Sequence, residues 1–572
     1  MRHLVLSPLM CLTLMWTSFS GTAVQAADPA TLIPGDAAAV VRLKAPESTV
    51  AKVVSMVNVV QPGFGGLVEA QAGMIGAGIM NPALAGVDQS RDWWVAVFVE
   101  KGKEAEVVFV VPATDIEQMQ GALGEDLFFE STEDWAIYGE DEAVVKAVAT
   151  HDGPTFKDVL RKRSQTVFDS GDMSVMVNVK ALTSTFRAEI AQVKKEAQSE
   201  IENAPNDIPE IPGMNLDWIA DLVPKILEGM FDVVDETEQV VETVIISNEG
   251  IKVDSTIDFT AGGKVAGFLA NSGPKTLDSL NKLPADHVGY FAFGGDDSNS
   301  LQDFGFEILK KIVTDSDKQA QIQEILDLSK EIEVSQAAAS FGLGDLTTGL
   351  IRSVAIYNAT PVETVKKVAR KSSVFANLVE VPGVRQSITI QEDAETYGSR
   401  TADVMIMEQT FEGENAELGG LQQQIMTFMY GPEGIVTRMG YLKEGYIQSM
   451  GGGTEGMKAA FEAYDSSANA DNGAFRRDRS QLLEKANFVG LLDVPTLLAD
   501  AAKIAAASGM SPIPISPEDI DGIGIEKSYL GFSAAGSEDG LQFNTFIPVQ
   551  TVQNGVKIFM YVQSMQAQGQ AF

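Results

Sequence analysis

Almost every side chain able to do chemistry in this 572-residue chain is a carboxylate: 79 Asp and Glu stand against 42 Lys and Arg, three His and one Cys. Paired carboxylates can serve as acid and base on a glycosidic bond, so a carboxylate-based hydrolase stays open as one reading, although no pair stands out by position. Oxygen atoms at alternate positions can also hold calcium. Asp465-Ser466-Ser467-Ala468-Asn469-Ala470-Asp471 has that rhythm, with Asp465, Asn469 and Asp471 as the ligands. The stretch lacks the glycine at the sixth position and the glutamate at the twelfth, so a solvated turn is the simpler reading. His151 lies in Thr150-His151-Asp152-Gly153-Pro154, a turn sequence, and His287 opens a strand. A three-histidine metal site cannot be assembled from these. There is no phosphate-binding G-x-x-x-x-G-K-[ST] loop, no dinucleotide fingerprint, no H-E-x-x-H, and no G-x-S-x-G with a histidine partner. The expectation is a non-enzymatic protein without a cofactor.

Apolar residues offer more. From Leu216 to Asp232 a helix is expected, with Trp218, Leu222, Ile226, Met230 and Phe231 on one apolar stripe and Asp217, Asp221, Glu228 and Asp232 on the other side. An acidic polar face is wrong for a membrane surface, so the helix reads as core packing or as a lid or partner-docking element. Trp93 and Trp94 begin a strand and could line an apolar cavity. These seven residues, Trp93, Trp94, Trp218, Leu222, Ile226, Met230 and Phe231, are the candidate binding set.

The elements that must position them recur in order. Leu32-Ile33-Pro34-Gly35-Asp36 before Ala39 to Leu43 returns as Leu283-Pro284-Ala285-Asp286 before Gly289 to Phe293. Trp135 to Gly139 with the helix after it matches Gly445 to Gln448 with its own. Ser174 to Val179, followed by a helix from about Lys180 to Glu202, matches Phe488 to Val494 and the helix through Ala507. Each half closes on a hairpin, turning at Asn248-Glu249-Gly250 and near Glu538-Asp539-Gly540. Such internal symmetry indicates a repeated architecture. Ile251 to Phe259 alternates apolar and polar, as a sheet with one wet face does, and helices stand between groups of strands. The fold class expected is α+β: two pseudo-repeated lobes, each a mainly antiparallel sheet covered on one face by helices. The first repeat spans 27–270, a linker 271–282 and the second repeat 283–572, which carries extra strand material from Val384 to Phe411.

The first 26 residues read as a signal peptide: a basic start, an apolar run from Leu4 to Phe19, and Ala23-Val24-Gln25-Ala26 before the cleavage point. Its removal takes Cys11 with it, so the exported chain, periplasmic or extracellular, has no disulfide. A net charge of −37 excludes nucleic acid as a partner by simple repulsion. No later stretch is apolar enough to be an integral membrane segment. In Leu283-Pro284-Ala285-Asp286, in the Trp135 to Val148 segment and in the Gly250 to Phe259 strand, the chain resembles uncharacterised secreted bacterial proteins, of a type common in planctomycetes, that carry a large domain of unknown function. That resemblance implies export and architecture, and brings no reaction or ligand. The function expected is an exported binding or scaffold protein whose partner is a protein or a hydrophobic ligand. A periplasmic carrier of a lipid or other apolar molecule is the alternative.

Overall fold

A computed structural model describes residues 28–203, 217–296, 313, 316–345, 347–375, 384–411, 416–508 and 516–569. Residues 1–26, expected to be a signal peptide, lie outside them. The chain forms two compact units that interleave along the sequence. The first holds residues up to Lys194, Phe231–Ala266 and Asp539–Gln553; the second holds Lys195–Met230, Gly267–Glu538 and the chain from Asn554 onward.

The first unit is built on β1 (Ala39–Leu43), β2 (Trp93–Phe98), β3 (Glu106–Pro112), β4 (Phe128–Thr132), β5 (Trp135–Gly139), β6 (Met173–Val177), β7 (Thr237–Ile246), β8 (Gly250–Phe259) and the late strand β18 (Gly540–Pro548). Their order is β4-β5-β3-β2-β1-β6-β7-β8-β18, antiparallel throughout. The expected cover of one face by helices is corrected here. One face packs on the helices Glu142–Ala149, Phe156–Val159 and Lys162–Ser170, through Val40, Trp94, Val110 and Ile137. The other face, over β2, β3 and β5, packs on Pro46–Val60, Gly65–Ala72 and Ile116–Ala122 through Trp93, Phe109, Val111 and Tyr138. The reason is local: these strands are apolar at consecutive positions, so both faces must leave water. Each such side chain, when fully buried, stabilises by about 1.5–3 kcal/mol.

In the second unit the strands are β9 (Gly289–Gly294), β10 (Glu333–Asp345), β11 (Gly349–Thr360), β12 (Val384–Tyr397), β13 (Arg400–Phe411), β14 (Ile435–Leu442), β15 (Gly445–Met450), β16 (Phe488–Leu492) and β17 (Leu530–Ser537). They run β12-β13-β14-β15-β11-β10-β9-β16-β17, again all antiparallel. The extra material from Val384 to Phe411 is the hairpin β12–β13 at the edge. It is pinned by the helix Val362–Lys371, whose Arg370 grips the buried Asp403 of β13 through two hydrogen bonds of 2.8 Å. Tyr441 donates to the same carboxylate at 2.9 Å.

Two helices differ from expectation. The stretch from Lys180 to Glu202 is two helices, Val179–Thr185 and Arg187–Asn203, separated at Phe186. The helix expected to end at Asp232 runs from Asp217 to Glu236 and passes through Pro224. No helix among the described residues is long and apolar enough to cross a membrane.

Candidate functional site

The strand β8 overturns the simplest reading of its own pattern. Alternation of Ile251, Val253 and Ile257 with Asp254, Thr256 and Asp258 places the apolar residues inward. In the structure the polar set is buried and the apolar set is only half-buried. Asp258, fully buried, accepts from Gln239 Nε2 at 2.6 Å and from Ser164 Oγ at 2.5 Å, with Arg163 at 3.3 Å. Thr256 shares a 2.8 Å hydrogen bond with Ser164. Asp254 accepts from the Asn544 amide on β18 and pairs with Lys252 at 3.1 Å. A buried carboxylate is tolerated only with partners of this kind. The sheet therefore has a satisfied polar interior, and it directs Ile251, Val253 and Ile257, with Leu541, Phe543 and Ile547 of β18, to the other side.

The second unit makes the same arrangement with larger groups. On β9, Tyr290 and Ala292 point into a closed core. There Tyr290 meets Phe475 and Tyr529 at ring distances of 5.2 and 5.6 Å, and its hydroxyl donates to Pro284 O at 2.7 Å. Phe291 and Phe293 point the opposite way and are 37% and 55% exposed. Residues directly opposite each other in the ladder share a face. Phe291 lies opposite Ala339 and Gly490, Phe293 opposite Ala337 and Phe488, and Gly289 opposite Phe341 and Leu492. Beyond them on β17 come Leu530, Phe532 and Ala534. These twelve positions on four strands carry no side chain that can hydrogen-bond.

Four of the rings form a row across the strands. Phe341 stacks on Phe291 at 6.1 Å, Phe291 meets Phe488 at 6.4 Å, and Phe488 meets Phe532 at 6.0 Å. Glycine makes room for it: a Cβ on Gly289 would collide with the Phe341 ring. At a strand spacing of about 4.8 Å the row crosses roughly 14 Å of sheet. The helix Val494–Ala507 packs against β10 and is rich in Leu, Ile and Ala, yet Pro495 is its one fully buried residue.

The residues singled out from sequence separate into three groups. Trp93 and Trp94 are 2% and 4% exposed and lie in the two opposite cores of the first unit, so neither stands on an accessible binding surface. Trp93 Nε1 donates to Asp88 O at 3.0 Å, and Trp94 packs on Phe156 and Phe168. Of the helix stripe, Leu222 and Phe231 are half-buried, while Ile226 and Met230 are 51% and 62% exposed. The Trp218 side chain lies outside the described residues. The calcium reading does not survive the geometry. Asp465 is held by Arg400 at 2.8 and 2.9 Å, Asn469 is buried and donates to the Leu280 and Leu283 carbonyls, and Asp471 is exposed in a turn. Among the described residues no three His, Cys, Asp or Glu side chains converge as metal ligands do.

Phe291, Phe293, Phe341, Phe488 and Phe532 were missed. The signal was present in Tyr290-Phe291-Ala292-Phe293, which reads as a strand apolar on both faces; what sequence does not carry is that one face lacks a full cover. A separate cleft of about 120 Å³ beside Thr348, Tyr430 and Gly452 has a mixed lining, and its Arg438 is already engaged by Glu395 at 2.9 Å and Glu433 at 3.0 Å.

Both described histidines have partners close by in the structure. His151 Nε2 lies 2.9 Å from Pro154 O in an exposed turn. His287 is buried, with Nδ1 2.8 Å from Ser340 Oγ, and burial lowers its pKa to about 4 despite Asp286; Arg352 and Lys527 act in the same direction as burial. A base whose folded pKa lies below its unfolded value contributes stability above about 6.5 and loses it as the pH falls toward 4. Acidification from pH 7 to 4 is therefore expected to cost the second unit up to about 3 kcal/mol through this group. Urea titrations at both pH values measure it, and His287→Gln should flatten that part of the acid limb.

No protein-family model matches the chain, and neither a curated protein nor a solved structure shows significant similarity to it.

Proposed function

We propose that this chain is an exported, non-enzymatic binding protein, and that it carries a lipid or another ligand with a long hydrocarbon part. The observation that supports the reading is the uncharged face of β10, β9, β16 and β17, with Phe291 and Phe293 left in water above a core that is already closed. Leaving a third to a half of each ring exposed forgoes a corresponding share of the about 1.5–3 kcal/mol that full burial of a phenylalanine brings. A protein partner brings about one hydrogen bond per 100–200 Å² of interface, which a face without donors or acceptors cannot return. Hydrocarbon asks for none. The half-buried Ile251, Val253, Phe543 and Ile547 in the first unit offer the same chemistry in aliphatic form. Protein purified from its source, extracted with organic solvent and analysed by mass spectrometry, should yield lipid near or above one equivalent. Extracts without lipid, from protein that also fails to take up a fatty acid, would end this reading.

A scaffold role is the second reading. Ile226, Met230, Val233 and Val234 form an exposed i, i+4, i+7, i+8 stripe on the helix Asp217–Glu236, the geometry of a docking helix. A stoichiometric protein partner lost on Met230→Asp would favour it.

We infer also that the two units descend from one pattern, as the repeat in the sequence suggested. Numbered within each half, the first runs 4-5-3-2-1-6-7, and β14-β15-β11-β10-β9-β16-β17 gives the same order in the second, with β12–β13 as an insertion. Shared order across seven antiparallel strands supports common descent more strongly than the short motifs do.

A further inference from the structure

The pairing of β8 with β18 has a symmetry that ordinary strand neighbours lack. Both strands follow like turns, so Gly250 aligns with Gly540, Asp254 with Asn544 and Asp258 with Pro548. Gly250 lies opposite Pro548 and Gly540 opposite Asp258, and at the centre Asp254 faces Asn544, its own equivalent. The glycines obey the same relation. Gly250 and Gly540 sit at φ +152° and +138°; a Cβ on the first would collide with Ile547 O, and one on the second with Ile257 O, again equivalent positions. Two copies of one strand edge meet in this way, each residue contacting the counterpart of its contact.

In such a pairing the central residue meets itself. Two β8 edges would set two buried Asp254 carboxylates against each other, each with only the Lys252 of its own strand, 3.1 Å away, to offset the repulsion. Asn544 removes that conflict, because its amide donates to the Asp254 carboxylate. We propose that the Asp254–Asn544 pair is a pairing-specificity device: it makes β8 accept β18 of its own chain and reject a β8 from a second chain. The proposal rests on the common descent of the two hairpins. Specificity of this kind needs a repulsive element against the wrong partner as well as an attractive one for the right partner.

Three forms of the full-length protein test it by hydrogen exchange at neutral pH. In Asn544→Asp, amides of β8 and β18 should exchange about a hundredfold faster than in the parent, as local opening becomes easier. In the exchanged pair, Asp254→Asn with Asn544→Asp, protection should return to within about tenfold of the parent, because the two positions are equivalent. A synthetic peptide copying Gly540–Pro548 should restore protection to β8 of Asn544→Asp, and one copying Gly250–Phe259 should not. Unchanged exchange in Asn544→Asp, or equal rescue by both peptides, overturns the device and leaves common descent standing. Fast exchange in both the single and the exchanged forms shows the positions to be inequivalent, which removes the proposal together with the descent it rests on.

Discussion

Replacing Phe291 and Phe488 together by serine is expected to weaken binding of a fluorescent fatty acid about a hundredfold while lowering the melting temperature less than the single change Tyr290→Ser. Each ring removed withdraws about 1.5 kcal/mol or more of apolar contact from the ligand, and 1.4 kcal/mol is tenfold in affinity. Phe291 is 37% exposed and Phe488 is only partly buried, so the ligand-free protein loses less per ring than it would at a fully buried position. Tyr290→Ser, one residue away on the closed face, should do the opposite. Its ring is fully buried against Phe475 and Tyr529, and truncations of that kind cost about 3–5 kcal/mol. Fluorescence titration and thermal melts of the two variants separate ligand contact from core packing. If the serine pair melts as early as Tyr290→Ser, the Phe face is structural and not a binding surface.

A stability effect of the same size is expected at Arg370. Asp403 is buried, and burial by itself pushes its carboxyl up; the Arg370 guanidinium, the Asp393 N–H and the Tyr441 hydroxyl together hold it below the ordinary value. A carboxylate whose folded pKa is lowered contributes stability above its unfolded pKa near 4 and loses it as the pH falls below that. Arg370→Ala leaves the charge buried without its cation and should cost about 3–5 kcal/mol at pH 7. It should also reverse the sign of the dependence. With the guanidinium gone, burial dominates, the carboxyl rises, and the variant regains stability relative to the parent as the pH falls toward 5. Chemical denaturation of parent and variant between pH 5 and 7 tests both statements through their difference, in which the His287 contribution cancels, and a stability gap that does not narrow as the pH falls would contradict them.

How much of this was legible in the chain depends on the side of the sheet considered. The run Val107 to Val111 announces a strand apolar on both faces, and Val108 to Val111 are buried. The turns at Gly250 and Gly540 and the hairpin from Val384 to Phe411 also stand where glycine and alternation put them. The failures share one cause. Periodicity tells which residues share a face but not which face is covered, because cover comes from segments distant in sequence. Asp258 looked solvent-exposed because nothing near it in the chain forecasts Ser164, Gln239 and Arg163 closing around it. Trp93 and Trp94 looked available because the helices that bury them lie before and after their strand. Phe291 and Phe293 drew no notice for the converse reason: an apolar strand gives no sign that its cover is incomplete. Asp465, Asn469 and Asp471 had a ligand-like spacing, but Arg400 and the Leu280 and Leu283 carbonyls, all distant in sequence, claimed two of them.

Photocrosslinking with a diazirine-labelled palmitate, followed by peptide mass spectrometry on the full chain, tests the central reading most directly. Label should concentrate on β9, β10, β16 and β17, at Phe291, Phe293, Phe341, Phe488 and Phe532, and unlabelled palmitate should compete it away. Label confined to exposed helix residues such as Ile226 and Met230, or insensitive to competition, would contradict a hydrocarbon site on the sheet.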